Sequence, residues 1–156
     1  MYLFLLVLTI TTAAGFQGWR TLFNNFSVEI AGINGQQMGI LQSVREVPGF
    51  LALLVIYLLF FISEHRLAAL SVIFLGLGVG LTGLLPSFAG LIFTTLLMSF
   101  GFHYYETLNQ SLTLQYFEHF EAPIVMARLR ALGSATNIAV GVTIFFLAKF
   151  LTYTQM

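Results

Sequence analysis

The sequence predicts an all-α, polytopic membrane protein with five transmembrane helices, and three observations lead there. Hydrophobic residues make up 58% of the chain and charged residues only 8%, where a soluble domain carries about a quarter charged residues. The mean hydropathy of +0.93 is that of a chain whose side chains meet lipid more often than water. The apolar residues also fall into five stretches long enough to cross a hydrocarbon layer, divided by short connections that collect turn-forming and polar residues.

The first span, 3–25, is almost wholly apolar through Ile10 and continues with small residues that a membrane helix tolerates. Thr12-Ala13-Ala14 loosely imitates a signal-peptide cleavage site, but no lysine or arginine precedes the apolar run, which disfavours that reading. Ala13, Gln17, Arg20 and Asn24 recur at helical spacing, so one side of this helix is expected to meet protein or water. For Trp19 and Arg20 a second reading stands beside it: an interfacial belt residue and a charge that snorkels from the helix end. Gly32-Ile33-Asn34-Gly35 is the turn signal before the second span, 37–62. That span carries Arg45, Glu46 and Pro48-Gly49, and proline in a membrane helix marks a bend beside a cavity. Arg45 and Glu46 are adjacent, about 100° apart around the helix, so each is expected to find its partner elsewhere. The candidates are Arg45 with Glu106 and Arg20 with Glu46.

The third span, 67–85, has no charged residue and carries Gly76, Gly78, Gly80 and Gly83. It is expected at the lipid-facing periphery, packing through its glycines. After Leu85-Pro86-Ser87, the fourth span, 88–117, places His103, Glu106, Gln110 and Thr113 on one polar stripe. The fifth, 126–150, opens with Arg128 and Arg130, and its stripe of Arg130, Gly133 or Ser134, Asn137 and Gly141 suits close helix packing. Arg66, Arg128 and Arg130 on one side against Lys149 and Arg20 on the other favour a cytoplasmic N-terminus, which leaves Thr152 to Met156 outside.

Other chemistry is absent from the pattern. Six basic and six acidic residues cancel, so nothing suggests nucleic acid or an acidic tail. The chain has no cysteine, which removes disulfides, thiolate catalysis and cysteine-ligated metals. His65, His103 and His119 are too scattered for a metal site, and no phosphate loop, cofactor motif or nucleophile–base pattern occurs. The expectation is a protein that is not an enzyme and needs no metal or cofactor.

Gly39-Ile40-Leu41-Gln42-Ser43 opening the second helix, a short polar break, a glycine-rich third helix and Arg128-Leu129-Arg130-Ala131-Leu132-Gly133 opening the fifth resemble the N-terminal half of a major facilitator superfamily transporter. The likeness spans nearly the whole chain. Residues 62–68 stand where that family carries Gly-x-x-x-Asp-Arg-x-Gly-Arg-Arg, without its glycines or basic run. The resemblance therefore implies cytoplasmic gating roles for Arg66 and Arg130 only. The fifth helix lacks the Gly-Pro pair of the drug–proton antiporter branch, which disfavours that branch. The family implies a bundle in the bacterial inner membrane whose helices one and four line a central cavity, with helix three outermost. Its half-unit has six helices and its transporters twelve, so a five-span chain is expected to be part of a longer protein or to assemble with a second bundle or a second copy.

Function follows from charges at membrane depth. Arg20, Arg45, Glu46 and Glu106 are each expected to pair or to bind something there. His103 and Glu106, one turn apart, are suited to share a proton, while Arg45 or Arg20 would grip an anionic solute oriented by Tyr104, Asn109 and Gln110. The expected activity is proton-coupled movement of a small organic solute. The competing expectation is a membrane scaffold whose ion pairs only fix helices.

Overall fold

The computed structural model describes residues 1–151, so Thr152 to Met156, expected on the outside, lie beyond the described residues. Helices account for the architecture: α1 (Tyr2–Glu29), α2 (Gly35–Phe50), a 3-10 turn (Leu51–Leu54), α3 (Val55–Leu58), α4 (Glu64–Thr82), α5 (Phe88–Tyr116) and α6 (Ala122–Leu147). The α2 to α3 segment acts as one span, so the described residues contain five helical stretches long and apolar enough to cross a membrane. The protein is an integral membrane protein of the all-helical class.

Local chemistry explains where the helices start and stop. Gly32 takes a φ of 66°, the left-handed turn that glycine adopts without strain. Asn34 then caps α2 reciprocally with Gln37: its side chain accepts from the Gln37 N–H at 2.9 Å, and its own N–H donates to the Gln37 side chain at 3.1 Å. Ser87 caps α5 by accepting from the Gly90 N–H at 3.1 Å. The second span is not the uninterrupted helix over 37–62 that its hydropathy predicts. Pro48 has no N–H for the Val44 carbonyl, and the helix tightens into a 3-10 turn at Leu51 before resuming as one short turn that ends at Leu58. Next to the weakened turn, the Arg45 carbonyl accepts a hydrogen bond from the Ser99 hydroxyl of α5.

α5 is the central element, packed on α4, α2 and α6, and α1 lies against α4 and α6. The α4–α5 contact is the tightest. A Cβ on Gly78 would stand 2.7 Å from the Met98 Cα, and one on Gly101 would stand 2.9 Å from the Leu75 Cα. The two helices therefore touch backbone to backbone, which glycine alone permits. The third span thus packs tightly on α5 through one face, while Leu70, Ile73, Phe74 and Leu77 keep its other face exposed, as a lipid-facing span requires. In α4 39% of the apolar window is buried, as in α5, whereas α6 has 6% and is the outermost helix. Gly76, Gly80 and Gly83 meet nothing within 4 Å, so only Gly78 of the four makes the packing expected of them all.

Two clusters make the core. Leu5, Leu8, Leu108, Leu112 and Leu129 join the N-terminal end of α1 to α5 and α6. Trp19, Phe23, Leu75, Leu91 and Met98 join the other half of α1 to α4 and α5.

Candidate functional site

Between α1, α5 and α6 lies a cleft of about 280 Å³, near the lower end of the roughly 300–1,000 Å³ typical of ligand sites. Each helix contributes a polar stripe: Gln17 and Arg20 from α1, Glu106, Asn109 and Gln110 from α5, Arg130 and Asn137 from α6. Phe16 and Phe102, stacked at 4.2 Å between ring centroids, supply an apolar wall. α6 lies against α1 here, with Gly133 facing Thr9 and Ala13.

Several polar groups in the cleft have nothing to bind within the chain. Arg45–Glu46 is the one ion pair among the described residues, so Arg20, Arg130 and Glu106 are all unpaired. The Thr12 hydroxyl and the Asn109 side-chain carbonyl are buried without a hydrogen-bond partner among the described residues. Buried polar groups are rarely left so, and a cleft filled by water or a ligand would satisfy them. Thr9 and Tyr105 do satisfy each other, hydroxyl to hydroxyl at 2.8 Å. Tyr105→Phe should cost about 0.6–1 kcal/mol, the usual worth of one such bond in a membrane protein, read from unfolding in bicelles. A loss several times larger would mean that the hydroxyl supports more than Thr9.

The residues singled out by sequence divide into two groups. Arg20, Glu106, Asn109, Gln110 and Arg130 come together along the cleft, whose open side leaves Arg20, Glu106, Gln110 and Arg130 exposed. Arg130, expected as a gating residue and on the packing stripe of the fifth helix, lines the cleft itself, and Arg66 stays apart from it, exposed in the first turn of α4. Arg45, Glu46 and His103 lie elsewhere. His103 packs on Gly49 of α2, where a Cβ would stand 3.1 Å from its ring, and no hydrogen bond joins it to Glu106. Residues three apart on a helix diverge by about 60°, which is enough to send one toward α2 and the other toward α6. Tyr104 turns the same way as His103 and reaches the Leu51 carbonyl at 3.4 Å.

Arg45 and Glu46 correct a further expectation. The guanidinium Nε and Nη2 both donate to one Glu46 carboxylate oxygen, at 3.0 and 2.7 Å. Their Cα–Cβ bonds do diverge, but two long side chains curl along the helix surface and meet. Neither Arg45–Glu106 nor Arg20–Glu46 forms.

Thr9, Thr12, Tyr105 and Met126 line the cleft although nothing in the sequence marked them. Thr9, Thr12 and Tyr105 do lie within one or two helical turns of Ala13, Gln17, Asn109 and Gln110, so extending those stripes would have reached them. No protein-family model, curated protein or solved structure matches the chain.

Proposed function

We propose that this chain forms one bundle of a secondary transporter for a small organic solute, with Glu106 carrying the coupled proton. The convergence of Arg20, Glu106, Arg130 and four amide side chains in one cleft of membrane-spanning helices carries the reading. A lone charge at the bilayer centre costs at least ~2.5–3.5 kcal/mol, so Glu106, without a partner near the middle of α5, calls for a wet, ligand-accepting space between the helices. Two guanidinium groups and one carboxylate suit a solute bearing an anionic group, held by Arg20 or Arg130 in a bidentate contact and oriented by Asn109 and Gln110. Protonation of Glu106 changes the cleft by one full charge, which is the coupling element such a site needs. The likeness of the helix order to the major facilitator superfamily supports the same reading, since it implies a cavity lined by helices one and four, here α1 and α5.

On this reading the protein sits in a bacterial inner membrane with its N-terminus in the cytoplasm, Arg66 gates the cytoplasmic end, and a second bundle or second copy closes the open side of the cleft. The test is uptake into proteoliposomes of a panel of small organic acids and neutral solutes, with and without a pH gradient, for wild type and Glu106→Gln. Gradient-driven accumulation by wild type, reduced in the variant to exchange that ignores the gradient, is the expected result. Undiminished gradient-driven uptake by Glu106→Gln would remove the proton role. No uptake by any assembly containing the chain would favour a scaffold whose charges only hold helices.

A further inference from the structure

A second cavity, of about 370 Å³, opens on another face of α1, between α1, α4 and α6. It shares no residue with the polar cleft, and its lining is apolar apart from two groups. Thr82 is one, and its hydroxyl already donates to the Gly78 carbonyl at 2.8 Å. Trp19 is the other. It is 5% exposed, stacked on Phe23 at 4.1 Å, and its indole N–H has no acceptor among the described residues. Gly18, Gly80 and Gly83 form part of the wall, and a Cβ on any of them would meet nothing within 4 Å. The cavity exists because those side chains are missing.

Its depth can be read from helix register. Gly15 rests on the Leu75 side chain, and α1 and α4, being odd-numbered spans, run in the same direction. Four residues further along each helix, Trp19 is level with Val79. That is three residues, or about 5 Å at 1.5 Å per residue, short of the end of α4 at Thr82. Trp19 therefore stands at the height of an interfacial belt residue but faces inward, away from bulk lipid. The rim is formed by Leu84, 73% exposed, and Leu147, 40% exposed, where the helix surfaces meet the bilayer. Two residues past Leu147, the Lys149 ammonium lies over the Phe145 ring at 4.9 Å, a cation at headgroup height on the same end of the bundle.

We infer that this crevice binds one acyl chain of a membrane glycerolipid, with the lipid's ester carbonyl accepting the Trp19 indole N–H. The chain supplies apolar volume against glycine walls, and the ester supplies the only acceptor that bilayer lipid carries at that depth. This site stands apart from the transport reading and does not depend on it.

Trp19 is the sole tryptophan of the chain, so its fluorescence reports the crevice directly. The purified protein is reconstituted in phosphatidylcholine vesicles whose acyl chains carry bromine, a contact quencher, and compared with unbrominated vesicles. Strong quenching of wild type is expected despite the burial of Trp19. Gly80→Leu, which puts a side chain into the crevice, should return the emission toward the unbrominated level. Gly76→Leu, on the same helix outside the crevice and equally unhindered, should quench like wild type. Gly83→Leu repeats the filling from a second position, should Gly80→Leu fail to fold. Absence of quenching in wild type overturns the inference and leaves the crevice to water or a protein side chain. Equal quenching in wild type and the filled variants overturns it as well, because bromine would then reach Trp19 by another route.

Discussion

Gly101→Ala and Gly78→Ala should each destabilise the protein by about 1–3 kcal/mol, the usual cost of forcing an extra methyl into a well-packed contact. Alanine is the better helix former by roughly 0.5–1 kcal/mol, so propensity alone predicts the opposite sign. The contact wins because the obstacle is rigid. A Cβ on Gly101 would meet the Ser71 carbonyl and the backbone of Leu75, and one on Gly78 would meet the backbone of Met98. Backbone atoms of a continuous helix cannot rotate aside as a side-chain tip can, so α4 and α5 must move apart along their whole seam. Gly76→Ala is the internal control, since its Cβ would project into open space. It should be neutral or stabilising by up to about 1 kcal/mol. Unfolding free energies in bicelles check all three, and a Gly101→Ala protein as stable as Gly76→Ala would show that the helices do not touch there.

Glu46→Leu should cost about 2.5–3.5 kcal/mol, while Arg45→Leu/Glu46→Leu together should recover most of the loss. The α2 to α3 span runs from Gly35 to Leu58, so Arg45 lies close to its midpoint, the most expensive depth for an unpaired charge. Glu46 neutralises it through two hydrogen bonds to one oxygen. The pair is partly open, with side-chain exposures of 28% and 54%, which in water would reduce its worth to about 0–1 kcal/mol. Lipid, however, cannot replace the lost partner as water does. Removing both charges takes away the problem instead of half the solution. The same bicelle unfolding measurement decides it: a Glu46→Leu protein within about 1 kcal/mol of wild type would mean that this face of α2 is wetted, as in a water-exposed pair.

Some features of this protein follow from residue order alone. Hydropathy runs longer than a bilayer is thick leave the backbone no alternative to helix, because an unpaired peptide group in hydrocarbon has nothing to bond. The class, the five spans and the turn at Gly32 to Gly35 were therefore legible without coordinates. So were the polar stripes that carry Arg20, Asn109 and Gln110, since helical spacing assigns faces within one helix.

Relations between helices were not legible in the same way. His103 and Glu106 share a stripe on paper, yet α2 takes one and α6 the other, because a stripe about 60° wide can straddle two neighbours. The want of charge in the third span says nothing of which helix it packs on, and Gly78 against Met98 with Gly101 against Leu75 fixes α5 as that neighbour. Arg45 and Glu46 leave the helix about 100° apart, and side-chain length brings them together. By itself the sequence determined which segments are helical and which side of each is polar, because those depend on contacts a few residues apart and on the solvent. Only the tertiary structure decided which sides meet, because that choice rests on contact distances between residues far apart in the chain, where one missing Cβ changes which helix can approach.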